Sequence, residues 1–96
     1  MTLVTMFETG GTLTFDTATA VLAAGLARIE AGATRVDCAP LERFDSSALA
    51  VLLAWRRAAR ARRVELQISH LPAGLVSLAE AYGVSSLLDA NAGAPA

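Results

Sequence analysis

The sequence contains no lysine; its eight basic residues are all arginine, set against nine acidic residues and one histidine. A glycine-rich loop closing on a lysine is therefore missing, which excludes nucleotide binding of that type. A single histidine and a single cysteine supply too few ligands for a metal centre. Cys38 has no internal partner for a disulfide and, inside an apolar segment, reads as a small buried side chain. The longest unbroken apolar run, residues 48–55, is far shorter than the ~20 residues of a membrane-spanning helix. The formal net charge of −1 arises from balanced signs, which excludes a general electrostatic mode of nucleic-acid binding. The first residues show no basic start followed by an apolar stretch, so the expectation is a cytoplasmic protein without a signal peptide.

With 96 residues, 54% of them hydrophobic and 18% charged, the chain has the size and composition of one folded domain with a modest core. That domain is expected over residues 1–89, followed by a flexible tail over residues 90–96, where every side chain is small. Residues 3–7 and 12–15 are rich in β-formers, and Gly10-Gly11 between them suits a tight hairpin. Asp16 or Thr17 can cap a first helix whose apolar positions Val21, Leu22, Leu26 and Ile29 follow helical spacing until Gly32. A short strand over residues 35–39 and a loop over 40–44 lead to a second helix from about Ser46 to Arg62. Val64, Leu66 and Ile68 alternate with Glu65, Gln67 and Ser69 as a strand should. Pro72 opens a third helix, Gly83 closes it, and a short segment over residues 84–88 follows.

The order β-β-α-β-α-β-α implies parallel neighbours joined by crossovers. The alternation of apolar and polar residues within each strand leaves one sheet face wet. Together these predict a two-layer α/β fold: a mixed four-stranded sheet with the helices mainly on one face.

The residue types that carry chemistry gather where the second helix begins, at Asp45-Ser46-Ser47. Asp and Ser are preferred helix caps, and a cap needs only one of them. The remaining hydroxyl can accept a phosphate, close to exposed N–H groups, or meet a docking partner. A hydrolase using Ser47 with His70 is a formal competitor. The simpler reading of His70 is a polar residue at a strand end, beside the Leu71-Pro72 turn. Arg56, Arg57, Arg60, Arg62 and Arg63 crowd the end of the second helix. There they complement the helix dipole and solvate a face; Arg56, Arg57 and Arg60 are also a candidate secondary docking patch for an acidic partner or an anionic bilayer surface. Trp55 is expected in the core or beneath these arginines.

The stretch from Leu3 to about Leu88 resembles a STAS domain. In that family a strand leads into Asp-Ser-Ser/Thr-Gly-Leu at the start of the second helix; here the segment is Asp45-Ser46-Ser47-Ala48-Leu49, with alanine in place of the usual glycine. The small size, Leu52-Leu53-Ala54-Trp55, Leu71-Pro72-Ala73-Gly74-Leu75 and Leu78-Ala79-Glu80-Ala81-Tyr82-Gly83-Val84 look most like the MlaB branch, the cytoplasmic STAS subunits of Mla phospholipid transporters. The resemblance implies a non-enzymatic accessory protein without a cofactor. It would bind the ATPase subunit (MlaF-like) of an ABC complex that includes a permease, sit beside the inner membrane through that partner, and serve outer-membrane lipid asymmetry. The implied partner interface is Asp45, Ser46, Ser47 and Leu49, with the family's contact hydroxyl mapping to Ser46. The phosphoacceptor of the anti-sigma-factor antagonists maps to Ser47. A regulator that answers to an anti-sigma serine kinase is therefore the alternative, with Ser47 or Ser46 as phosphoacceptor.

Overall fold

The computed structural model describes residues 6–92. Its elements are β1 (Met6–Glu8), β2 (Thr12–Leu13), α1 (Ala18–Glu30), β3 (Arg35–Asp37), β4 (Arg43–Phe44), α2 (Ser47–Ala61), β5 (Gln67–Ser69), α3 (Ala73–Ala81) and α4 (Ser85–Ala92). Two sheets form in place of the expected single mixed sheet of four strands. One has three strands in the order β1-β3-β5, the other pairs β2 with β4, and every pairing is parallel.

The expected hairpin at Gly10-Gly11 does not form. Gly10 takes a positive φ of 81°, and the carbonyl of Gly11 then accepts the N–H groups of both Glu42 and Arg43 at 2.9 Å. These bonds lead β2 to β4, while β1 pairs with β3 across the α1 crossover. The loop expected over residues 40–44 accordingly contains β4.

The one-sided sheet does hold. Phe7, Val36 and Ile68 stand in register across the three strands and are all buried, whereas Met6, Arg35 and Gln67 form the neighbouring exposed row. On that wet face Arg35 donates to the Gln67 side chain at 3.1 Å. A parallel sheet with helices on one face keeps this alternation; the antiparallel pair of the expected mixed sheet came from the hairpin at Gly10-Gly11, which does not form.

Apolar residues at helical spacing bury one face of α2, including Leu52, Trp55 and Ala59. Trp55 is fully buried, meets Phe7 edge-on with ring centroids 5.1 Å apart, and donates its indole N–H to the Leu22 carbonyl at 3.1 Å. The close passage of α1 over this ring depends on Gly25, where a Cβ would lie 2.2 Å from the indole. Gly83 ends α3 with φ 74°, and Val84 N–H returns to the Ala79 carbonyl at 2.9 Å, as in a Schellman cap. The chain then forms α4, where the sequence had suggested only a short segment, and Leu88 closes the core. Residues 90–92 of the expected tail belong to this helix; residues 93–96, and residues 1–5 at the other end, lie outside the described part. No helix among the described residues is long and apolar enough to cross a membrane.

Candidate functional site

Asp45 lies between β4 and α2, and its carboxylate ties two distant segments together. Oδ1 accepts the backbone N–H of Ser47 at 2.9 Å and the Ser47 hydroxyl at 2.5 Å. Oδ2 accepts the N–H of Phe15, in the turn after β2, at 2.9 Å. Asp45 is thus the side chain that caps α2, since Ser46, at the cap position, makes no side-chain cap bond. The Ser47 hydroxyl, followed by the Phe15 amide, holds the Asp45 carboxyl below the usual carboxylate value.

The two serines consequently differ. The Ser47 hydroxyl is half-buried and engaged, whereas Ser46 is exposed and its hydroxyl has no hydrogen-bond partner among the described residues. Ala48, which replaces the family's glycine, is completely buried, so its methyl faces the core and leaves the outer surface of the first turn clear. Leu49, expected at the interface, is 3% exposed and also packs inward.

Phe15 is the residue that sequence patterning misplaced. It alternates with Leu13 as a strand residue should, yet β2 ends at Leu13, because Thr14 N–H bonds to the Thr17 hydroxyl and Thr17 N–H returns to the Thr14 carbonyl, each at 2.9 Å. The resulting turn leaves Phe15 84% exposed, the most exposed large apolar side chain of the described residues. Its signal in the sequence was the spacing of Thr14, Asp16 and Thr17, a turn composition.

His70 does not join the serines. Its Nδ1 lies 3.0 Å from Asp37 Oδ1, which also accepts the Ala39 N–H at 2.9 Å. That amide, joined by His70 and opposed by desolvation, keeps the Asp37 carboxyl below its usual value. The Ser47 hydroxyl is meanwhile directed to Asp45. Cys38 is fully buried, and burial followed by the Asp37 charge pushes its thiol up to about 12, where no useful fraction is thiolate near neutrality.

The arginine patch splits. Arg56 is 7% exposed, and its guanidinium donates to the Leu87 carbonyl and to Glu65 Oε2, the latter at 2.6 Å. It therefore fastens α4 to α2, and its guanidinium is committed to those two partners. Arg57 and Arg60 remain exposed, with Arg60 3.9 Å from the same Glu65 oxygen.

Neither the curated proteins nor the solved structures contain a match to this chain. The family model described as "Mlab, STAS domain" matches residues 5–89, which covers both sheets, the capped start of α2 and the beginning of α4. With a strand leading into Asp45-Ser46-Ser47 at the head of α2 inside that match, the chain belongs to the STAS domain family and is of the MlaB type.

Proposed function

We propose that this chain is a non-enzymatic accessory subunit that binds the ATPase subunit of a bacterial phospholipid-transport ABC complex of the Mla type and supports its assembly and activity. The observation that carries the reading is the free, exposed hydroxyl of Ser46 at the head of α2, on a turn fixed by Asp45. Family membership supplies the class of partner. The exposed Phe15, held to the same carboxylate, adds an apolar contact beside the hydroxyl. Catalysis has no support from the side chains, as the only histidine pairs with Asp37 and Ser47 pairs with Asp45. The isolated chain is therefore expected to hydrolyse neither ATP nor simple esters.

The competing reading is an anti-sigma-factor antagonist controlled by phosphorylation of Ser47 or Ser46: at Ser47 a kinase has to break the bond to Asp45 and place a phosphate against a carboxylate, whereas the exposed Ser46 hydroxyl has no such bond to break.

The test is co-purification with an Mla-type ATPase subunit from the same organism, using Ser46→Arg and, as a control for bulk, Ser46→Ala. A cation at the head of α2 opposes the dipole by only ~0.3–1 kcal/mol, so the fold survives, whereas disruption at an interface centre costs ~2 kcal/mol or more. Ser46→Arg is expected to fold, by circular dichroism, and to lose the ATPase. Retention of the ATPase by folded Ser46→Arg, combined with its loss on charge reversal at Arg57 and Arg60, would move the interface to the far end of α2.

A further inference from the structure

Between the second half of α2 and the start of α4 lies a cleft of about 240 Å³ lined by Leu53, Arg56, Arg57, Arg60, Ser86 and Leu87. Three guanidinium groups converge there against one carboxylate, Glu65, in a chain whose overall charge is −1. The three differ in how far they are committed. Arg56 is buried and fixed by Leu87 and Glu65, so it provides an immobile positive wall. Arg60 makes only a long contact with Glu65, and Arg57 has no ion-pair partner among the described residues. Both are exposed at the cleft, as is Ser86.

From this arrangement we propose that the α2–α4 cleft binds a phosphate group. Two exposed guanidinium forks and a hydroxyl, presented from two helices, can donate to several oxygens in different directions, which suits a tetrahedral oxyanion. A planar carboxylate is satisfied by a single fork. The cleft is large enough for one phosphate and a short ester stem, and Leu53 with the 55% exposed Leu87 offers apolar surface to that stem. The phosphate can belong to a soluble ester or to a lipid headgroup, and the chemistry of recognition is the same. This site lies on a different part of α2 from the Ser46 face and stands independently of the proposed ATPase partner.

The experiment titrates the purified chain with inorganic phosphate and, separately, with acetate, following the arginine Nε–H and backbone amide resonances. A parallel sedimentation assay uses phosphatidylcholine vesicles with and without phosphatidylglycerol. The variant is Arg57→Gln/Arg60→Gln. The control is Arg28→Gln/Arg35→Gln, which removes equal charge from other surfaces, and circular dichroism verifies the fold of both. Expected are saturable phosphate shifts at Arg57, Arg60 and Ser86, weakened about tenfold or more in the cleft variant and within about twofold of wild type in the control, where tenfold is ~1.4 kcal/mol. Phosphate saturation without sedimentation on the anionic vesicles identifies a soluble ester, and sedimentation lost only in the cleft variant identifies a headgroup. The proposal is overturned if neither probe binds, if acetate binds as well as phosphate, or if the control loses as much as the cleft variant.

Discussion

One carboxylate joins Phe15 to Ser47: Asp45 accepts the amide of the first through Oδ2 and both the amide and the hydroxyl of the second through Oδ1. The turn after β2 and the head of α2 are thereby joined, although Phe15 and Asp45 are 30 residues apart. Ser46 stands between them in sequence, and its hydroxyl takes no part in the bonds that hold the turn.

The first prediction concerns acid. Asp45 and Asp37 both titrate below the usual carboxylate value of 3.8 in the folded chain. A carboxyl with a depressed folded pKa contributes stability that is fully present above its unfolded value and is lost as pH falls through the lower, folded one. The urea midpoint is therefore expected to decline below about pH 4. Asp45→Asn keeps a carbonyl toward Ser47 but turns an NH₂ toward the Phe15 amide, so it should lower the midpoint at neutral pH and flatten the acid decline. An unchanged decline in both Asp45→Asn and Asp37→Asn would assign the acid sensitivity to other carboxyls.

A second prediction follows from the fastening of α4. Alternation in the sequence makes Glu65 look equivalent to Gln67, a residue of the wet face. In the structure Glu65 is the partner of buried Arg56, whereas the side-chain carbonyl of Gln67 accepts from the exposed Arg35. Glu65→Ala should cost about 1–3 kcal/mol, since a nearly buried guanidinium loses its counter-charge. Gln67→Ala should stay within about 0.5 kcal/mol. Chemical denaturation of the two variants side by side measures the difference, and equal values would show that Arg56 is served by water.

Packing supplies a third. Gly25→Ala drives a methyl into the Trp55 indole, whose ring is locked by Phe7 and by its bond to Leu22. Over-packing of this kind costs about 1–3 kcal/mol. Leu66→Ala, which opens a cavity at a 1% exposed position, should cost about 2–5 kcal/mol. Urea midpoints monitored by tryptophan fluorescence read both; a spectrum altered by Gly25→Ala at unchanged stability would mean that the ring shifts freely.

Much of this architecture is legible in the sequence because local rules carry it. The periodicity of Leu49, Leu52 and Ala59, the stop at Gly83, and the buried row Phe7, Val36 and Ile68 all follow from spacing and turn chemistry. Strand partnership is different, because nothing local tells β1 to pair with β3 instead of folding back at Gly10; the partners that the chain takes instead, Arg35–Asp37 for β1 and Glu42 and Arg43 for the Gly11 carbonyl, are distant in sequence. The site divides along the same line. Asp45 and the serines are visible as a motif, but which serine is free depends on a short contact within the cap, and Phe15 enters only through a bond between distant segments. Likewise, an arginine buried by α4 cannot be distinguished in sequence from its exposed neighbours.

The final prediction tests Phe15 as the anchor of the proposed interface. An aromatic ring that is 84% exposed contributes little to the fold, so Phe15→Ala should change stability by no more than about 0.5 kcal/mol. At the centre of an interface the same truncation removes a large rigid apolar surface, and such anchors commonly cost ~2 kcal/mol or more, roughly 30-fold in affinity. Asp45 fixes the backbone of Phe15, so little ordering remains to be paid on binding. The measurement is the dissociation constant of Phe15→Ala for the proposed ATPase partner, compared with Tyr82→Ala, which removes an aromatic ring 60% exposed at the far end of α3. Phe15→Ala should weaken binding while Tyr82→Ala leaves it unchanged. If the two behave alike, or if Tyr82→Ala is the more damaging, the docking face does not include the turn after β2, and Ser46 would have to be tested as a contact without its aromatic neighbour.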